Sequence, residues 1–118
     1  MNDTRHDMDD QMRAVLSAFP QIELAVLYGS FARGRQRPDS DIDIAVSAER
    51  PLTADETIAL IEALAEQTGR AIDLVDLRVA GEPLLGQIVR HGRRLLGSDS
   101  AYGQLISRHL FELADFTQ

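Results

Sequence analysis

Residues 22 to 28, IELAVLY, are apolar at nearly every position and rich in β-forming side chains. Such a run is what a strand covered on both faces looks like, because it leaves no polar face for water. It fixes the kind of fold in which it can sit: a sheet with helices packed on it. The rest of the sequence supplies those helices. Over residues 7–19 the apolar side chains Met8, Met12, Val15, Leu16 and Phe19 recur at helical spacing, and Pro20 stops the run. DIDIAV, from Asp41, reads as a second strand, with Asp41 and Asp43 on one face and Ile42, Ile44 and Val46 on the other.

Farther along, Thr53 and Glu56 have the spacing of a capping box, and Ile58, Ile61, Leu64 and Ala65 carry that helix to Gly69. AIDLVDL, 71–77, is expected to be a third strand. A helix started by Pro83 follows on Leu84, Leu85, Ile88 and Val89, then a short edge strand near Leu95 and Leu96. A last helix from about Ser100 bears Tyr102, Leu105, Ile106, Leu110, Leu113 and Phe116. The expected architecture is α/β (α+β): one domain over 1–118, with a small mixed sheet of three to four strands flanked by helices on one or both faces. The last helix runs to Gln118 with no stop signal, so either the chain was cut there or the helix docks on a partner.

Length and charge narrow the function. A chain of 118 residues has room for a core but not for a separate acceptor-binding module. The net charge of -7 argues against a general nucleic-acid binder, which needs clustered Lys and Arg to neutralise phosphates. Without cysteine there is no disulfide, thiolate nucleophile or zinc-thiolate site. No apolar run could span a bilayer and no h-region opens the chain, so a cytoplasmic location with no membrane partner is expected.

The chemistry concentrates in LYGSFARGRQRPDSDIDIAV, residues 27–46. A strand ending at Gly29-Ser30 and turning into a short helical segment offers free backbone N–H groups, and glycine lets an anion come close. Ser30 adds a hydroxyl. Arg33, Arg35 and Arg37 could add charge beside a polyphosphate, Arg33 being nearest the corner. Asp41 and Asp43, about 6 to 7 Å apart on one strand face, could converge on divalent ions. A third carboxylate is expected from AIDLVDL. Asp73 lies in the strand interior between Ile72 and Leu74, where an idle carboxylate would be costly. Asp76 has opposite parity and sits at the strand end, where aspartate often serves a turn. Asp73 is the first candidate and Asp76 the alternative.

The order Gly29-Ser30, ten residues, Asp41, one residue, Asp43 resembles the signature of the nucleotidyltransferase superfamily related to DNA polymerase beta. GSFARG, SDIDIAV, AIDLVDL and GRRLLG extend the resemblance over about residues 22–97, toward the minimal nucleotidyltransferases that act as antitoxins to HEPN-domain toxins. The resemblance implies an enzyme, a protein adenylyltransferase that moves AMP from Mg-ATP to a tyrosine of the partner toxin and silences its RNase activity. By position, Gly29 and Ser30 would hold the triphosphate with Arg33 beside it. Asp41, Asp43 and Asp73 would carry two Mg²⁺ ions, and Asp73 would take the proton of the attacking hydroxyl. Two other readings stand beside this one: an antitoxin acting by binding alone, and a small-molecule nucleotidyltransferase of the aminoglycoside-modifying kind.

The remaining singular residues have plainer readings. Arg90, His91, Arg93 and Arg94 read as favourable charges at a helix C-terminus. His6, His91 and His109 lack metal-ligand spacing and are expected at the surface or an edge. Tyr28 and the stripe on the last helix are expected to be core.

Overall fold

The computed structural model describes residues 4–32, 34 and 40–116, without the side chains of residues 4–6, 30, 31, 115 and 116. Nine elements follow one another: α1 (Thr4–Ser17), β1 (Ile22–Tyr28), α2 (Gly29–Ala32), β2 (Ile42–Ala48), α3 (Ala54–Thr68), β3 (Ile72–Asp76), α4 (Leu84–His91), β4 (Arg93–Leu96) and α5 (Asp99–Phe116). The strands form one mixed sheet in the order β3-β2-β1-β4. β1 runs antiparallel to both β2 and β4, and β2 runs parallel to β3.

The apolar run of β1 explains the layering. Alternate residues of one strand face opposite sides, and β1 accordingly feeds two cores. Ala25 and Leu27 pack with Met12 and Leu16 of α1, Leu60 and Leu64 of α3, and Ile42, Ile44 and Val46 of β2. Leu24, Val26 and Tyr28 pack with Ala45, Leu77, Leu85 and Ile88 of α4, and Leu105 of α5. Fully burying a side chain such as Leu16 or Ile88 contributes about 1.5 to 3 kcal/mol. The same parity puts Asp43 on the side of Ala45, facing the α4/α5 layer.

Parallel neighbours need a crossover, and α3 provides it. Its start is fixed by a capping box: the Glu56 N–H donates to Thr53 Oγ1 at 3.1 Å, and the Thr53 N–H donates to Glu56 Oε1 at 2.9 Å. Its end is Gly69 at φ 71°, a left-handed cap. That crossover sets the β2–β3 register, in which Asp43 lies directly beside Asp73.

Several expectations change. α1 ends at Ser17 because Ala18 and Phe19 turn tightly, their N–H groups donating to Val15 and Leu16 carbonyls at 3.0 Å. β2 begins at Ile42, so Asp41 stands one residue outside the strand. The basic cluster is not one helix end: Arg90 and His91 close α4, whereas Arg93 and Arg94 belong to β4. His109 is buried, its Nδ1 2.7 Å from Glu82 Oε2, because α5 turns this side chain toward α4. The stripe on α5 is only partly core, for Leu105 is buried while Leu110 and Leu113 are exposed, as is Phe111 outside the stripe. Among the described residues no helix is long and apolar enough to cross a membrane.

Candidate active site

Three chain ends meet at one edge of the sheet: the end of β1, the start of β2 and the start of β3. Register aligns Tyr28 with Asp43, and Asp43 with Asp73, so the three side chains form a row across neighbouring strands. Immediately after Tyr28 the chain turns into α2 at Gly29, whose φ is +71°. A Cβ at this position would overlap Asp43 Oδ2 and lie 3.1 Å from Cγ and 3.3 Å from Cβ of the same residue. Glycine here therefore does more than free the backbone. It makes the space in which the Asp43 carboxylate sits, locking the turn and the carboxylate together.

The electrostatics of the row follow from crowding like charges in a half-buried place. Asp43 is pushed up to about 6, by burial first, then by the charge of Asp73 and a shared hydrogen bond, then by Asp41. Tyr28, nearly buried, is pushed up to about 12 by burial, Asp43 and Asp73. Every cause acting on Asp43 disfavours its anion. Among the described residues this corner is short of positive charge, which a cationic ligand would supply.

The other candidates are distributed as follows. Asp73 is exposed rather than buried, so it opens to solvent beside Asp43. Asp76 is occupied elsewhere: Oδ2 accepts from the Leu52 N–H at 2.8 Å and Oδ1 from the Arg78 N–H at 2.9 Å, tying β3 to the loop before α3. Asp41 is exposed, and Arg70 Nη1 donates to the carbonyl of the preceding Ser40 at 3.2 Å. Among the described residues no three carboxylate or histidine side chains close into a ligating cluster; of the expected Asp41, Asp43 and Asp73, the last two are adjacent across β2 and β3, and Asp41 lies near enough to raise Asp43. Ser30 lies in the backbone of α2, but its side chain is outside the described residues, as are Arg33, Arg35 and Arg37.

One contact at this edge was not anticipated. Arg93 Nη1 donates to the Ala32 carbonyl, the last of α2, at 3.2 Å, while Nε and Nη2 hold Asp9 of α1. A signal did exist, because Asp9 falls in helical register with Met12 and Leu16, an acidic residue on an apolar face. Its partner lies 84 residues away and could not be read from sequence.

The model of the family described as "Polymerase beta, Nucleotidyltransferase" matches residues 10–101. The chain belongs to the polymerase beta nucleotidyltransferase family. Over 79 residues this nucleotidyltransferase is 40% identical to the protein adenylyltransferase MntA of Shewanella oneidensis, a stretch that is 67% of this chain and 57% of that relative. The match thus spans little more than half the length of the curated relative. A crystal structure of a toxin-antitoxin with AMP-PNP contains a chain 30% identical to it, with a TM-score of 0.79, covering 92% of this nucleotidyltransferase and 86% of that chain. A tri-AMPylated Shewanella oneidensis HEPN toxin in complex with MNT antitoxin contains another, 28% identical with a TM-score of 0.74, covering 95% and 92%.

Proposed function

We propose that this nucleotidyltransferase is an antitoxin that transfers AMP from Mg-ATP to a tyrosine hydroxyl of a partner HEPN-domain toxin in the cytoplasm. The observation that carries the reading is the Asp43–Asp73 pair held beside the Gly29 turn, the arrangement that a metal-dependent phosphoryl transfer requires at its centre. The likeness to a protein adenylyltransferase, and to chains found in complexes with AMP-PNP and with an AMPylated toxin, supports the choice of nucleotide and acceptor.

The donor set fits magnesium. Asp43 and Asp73 offer hard oxygen ligands side by side, and Asp43 is crowded by the negative charge of Asp73 and Asp41. Mg²⁺ keeps water and substrate phosphates among its ligands, so one or two carboxylates, with Asp41 at hand, suffice to hold it without a closed protein cage. Bound there, two such ions would neutralise charge on the triphosphate and lower the pKa of the incoming hydroxyl.

The chain's own residues have separate tasks. Gly29 and Ser30, together with Arg33 three residues on in the sequence, hold and orient the triphosphate so that its α phosphorus faces the acceptor in line. Asp41 and Asp43 would hold the metal ions. Asp73, open to solvent beside Asp43, receives the proton of the attacking hydroxyl. Tyr28, deprived of ionisation by burial and two carboxylates, packs as the floor of the row.

In this reading residues 1–118 act as one catalytic domain and the acceptor comes from the partner. Leu110, Phe111 and Leu113, exposed on α5, offer it one apolar surface. No direct nucleic-acid contact by this chain is involved. The test is transfer of labelled AMP from ATP to the purified toxin. Label on a toxin tyrosine supports the reading, and neutralisation that proceeds equally well without ATP overturns it.

A further inference from the structure

The four residues of α2 make one helical turn, too short to hold its own place. Its position is set by packing on β1, β2 and α4 and by what holds its two ends. At the Gly29 end the grip is β1 and the Asp43 carboxylate. At the Ala32 end it is Arg93, whose Nη1 donates to the carbonyl at 3.2 Å. That guanidinium is itself immobilised. Nε donates to Asp9 Oδ2 at 3.1 Å and Nη2 to Asp9 Oδ1 at 3.0 Å, a two-point fork on a carboxylate that is 5% exposed. A planar cation clamped on one edge leaves its remaining donor with a single direction to point.

The pair is not needed merely to dock α1 on the sheet edge. Met12 and Leu16 already pack against Leu95 of β4, and Arg13 Nε donates to the Leu95 carbonyl at 2.9 Å. A largely buried ion pair adds little net stability because desolvation cancels most of its attraction, so its consequence lies in geometry. We propose that Asp9 and Arg93 form a positioning device for the nucleotide-binding turn. Arg93 touches no substrate; through Ala32 it fixes where Gly29 and Ser30 stand relative to Asp43. The inference rests on the reading that this turn holds the triphosphate.

The test compares the dissociation constant of AMP-PNP with Mg²⁺, and the melting temperature, across Arg93→Lys, Arg93→Ala, Asp9→Asn and a core control, Leu16→Ala. Lysine keeps the charge but not the fork, so Arg93→Lys is expected to weaken AMP-PNP binding about tenfold, and Arg93→Ala further, because small misplacements are costly in a site built for alignment. Leu16→Ala should lower the melting temperature at least as much and leave affinity unchanged. Combining Asp9→Asn with Arg93→Ala should weaken binding no more than Arg93→Ala alone. In steady-state transfer the KM for ATP should rise while that for the protein acceptor stays.

Wild-type affinity in folded Arg93→Lys and Arg93→Ala would overturn the positioning role, as would an equal loss in Leu16→Ala. Intact affinity differences in a protein that transfers nothing would overturn the proposed function and still support the positioning role. A wild-type chain that binds no AMP-PNP would overturn both.

Discussion

The Asp43 carboxylate occupies the space that a side chain at Gly29 would fill. Oδ2 stands too close to where the Cβ would be for both to fit, and the turn it abuts has φ +71°, so residue 29 is constrained by both backbone and neighbour. In the proposed site, the turn that would face the phosphates and the carboxylate that would face a metal ion are thereby held in register by a missing atom.

A second glycine allows that constraint to be divided. Gly69 has the same φ of +71°, but a Cβ there meets nothing within 4 Å. Gly69→Ala should cost about 1 to 2 kcal/mol of stability from its left-handed backbone alone and leave AMP transfer intact. Gly29→Ala carries that backbone cost and displaces Asp43 besides, so transfer should fall by about 100-fold or more. Thermal denaturation and initial rates on the two variants side by side check the difference.

Asp43 should make the metal-free protein sensitive to pH. Its carboxyl is pushed up from 3.8 to about 6 in the folded chain, so folding favours the protonated form. The stability this group contributes is full below about 4 and is lost as pH rises through about 6. Asp43→Asn, which has no charge to lose, should therefore melt higher than wild type at pH 7.5 in EDTA, with the gap closing at pH 4. Added Mg²⁺ should narrow the gap at pH 7.5 by stabilising wild type alone. A gap that widens toward acid pH would contradict the assignment.

The two aspartates of β3 should separate cleanly by phenotype. Asp73 is exposed and lies beside Asp43, so Asp73→Asn should abolish transfer with little change in melting temperature. Asp76 accepts two backbone N–H groups, from Leu52 and Arg78. Asp76→Ala should cost about 1 to 3 kcal/mol and leave the specific activity of the folded fraction near wild type. The reverse pattern would move the third carboxylate to Asp76.

Removing the α3 cap should loosen the fold without touching the chemistry. Thr53→Ala loses the side-chain half of the capping box, a cost of about 1 kcal/mol in denaturant melts, with unchanged transfer. Glu56, the other half, is pulled down to about 2, chiefly by its hydrogen bond to Arg50 and then by the Thr53 N–H. Its contribution is present above about 4.5 and fades as pH falls toward 2, and Glu56→Gln should flatten that acid limb.

Local patterns carried much of this into view from the sequence. The uninterrupted apolar run of β1 foretold a strand with helices on both sides, because burial of both faces leaves a compositional trace. The strand interior of AIDLVDL drew attention to Asp73 over Asp76, but its place directly beside Asp43 came from the β2–β3 register that the crossover through α3 sets. Thr53 and Glu56 announced their cap because its partners are three residues apart. What stayed hidden depended on contacts distant in the chain. The His109–Glu82 contact spans 27 residues and the Arg93–Asp9 fork 84, and nothing in either neighbourhood names the partner. Asp41 slipped off the strand by one residue, since strand ends are set by pairing with neighbours and not by composition.

The most direct measurement incubates the purified chain with Mg²⁺, ATP labelled at the α phosphate and its partner toxin, beside Asp43→Ala and Asp41→Ala controls. The expected result is label on a tyrosine of the toxin, absent from both controls, with loss of the toxin's RNase activity in step with labelling. An unlabelled toxin that the wild-type chain nonetheless binds and silences would contradict the transfer reaction and leave an antitoxin that acts by binding alone.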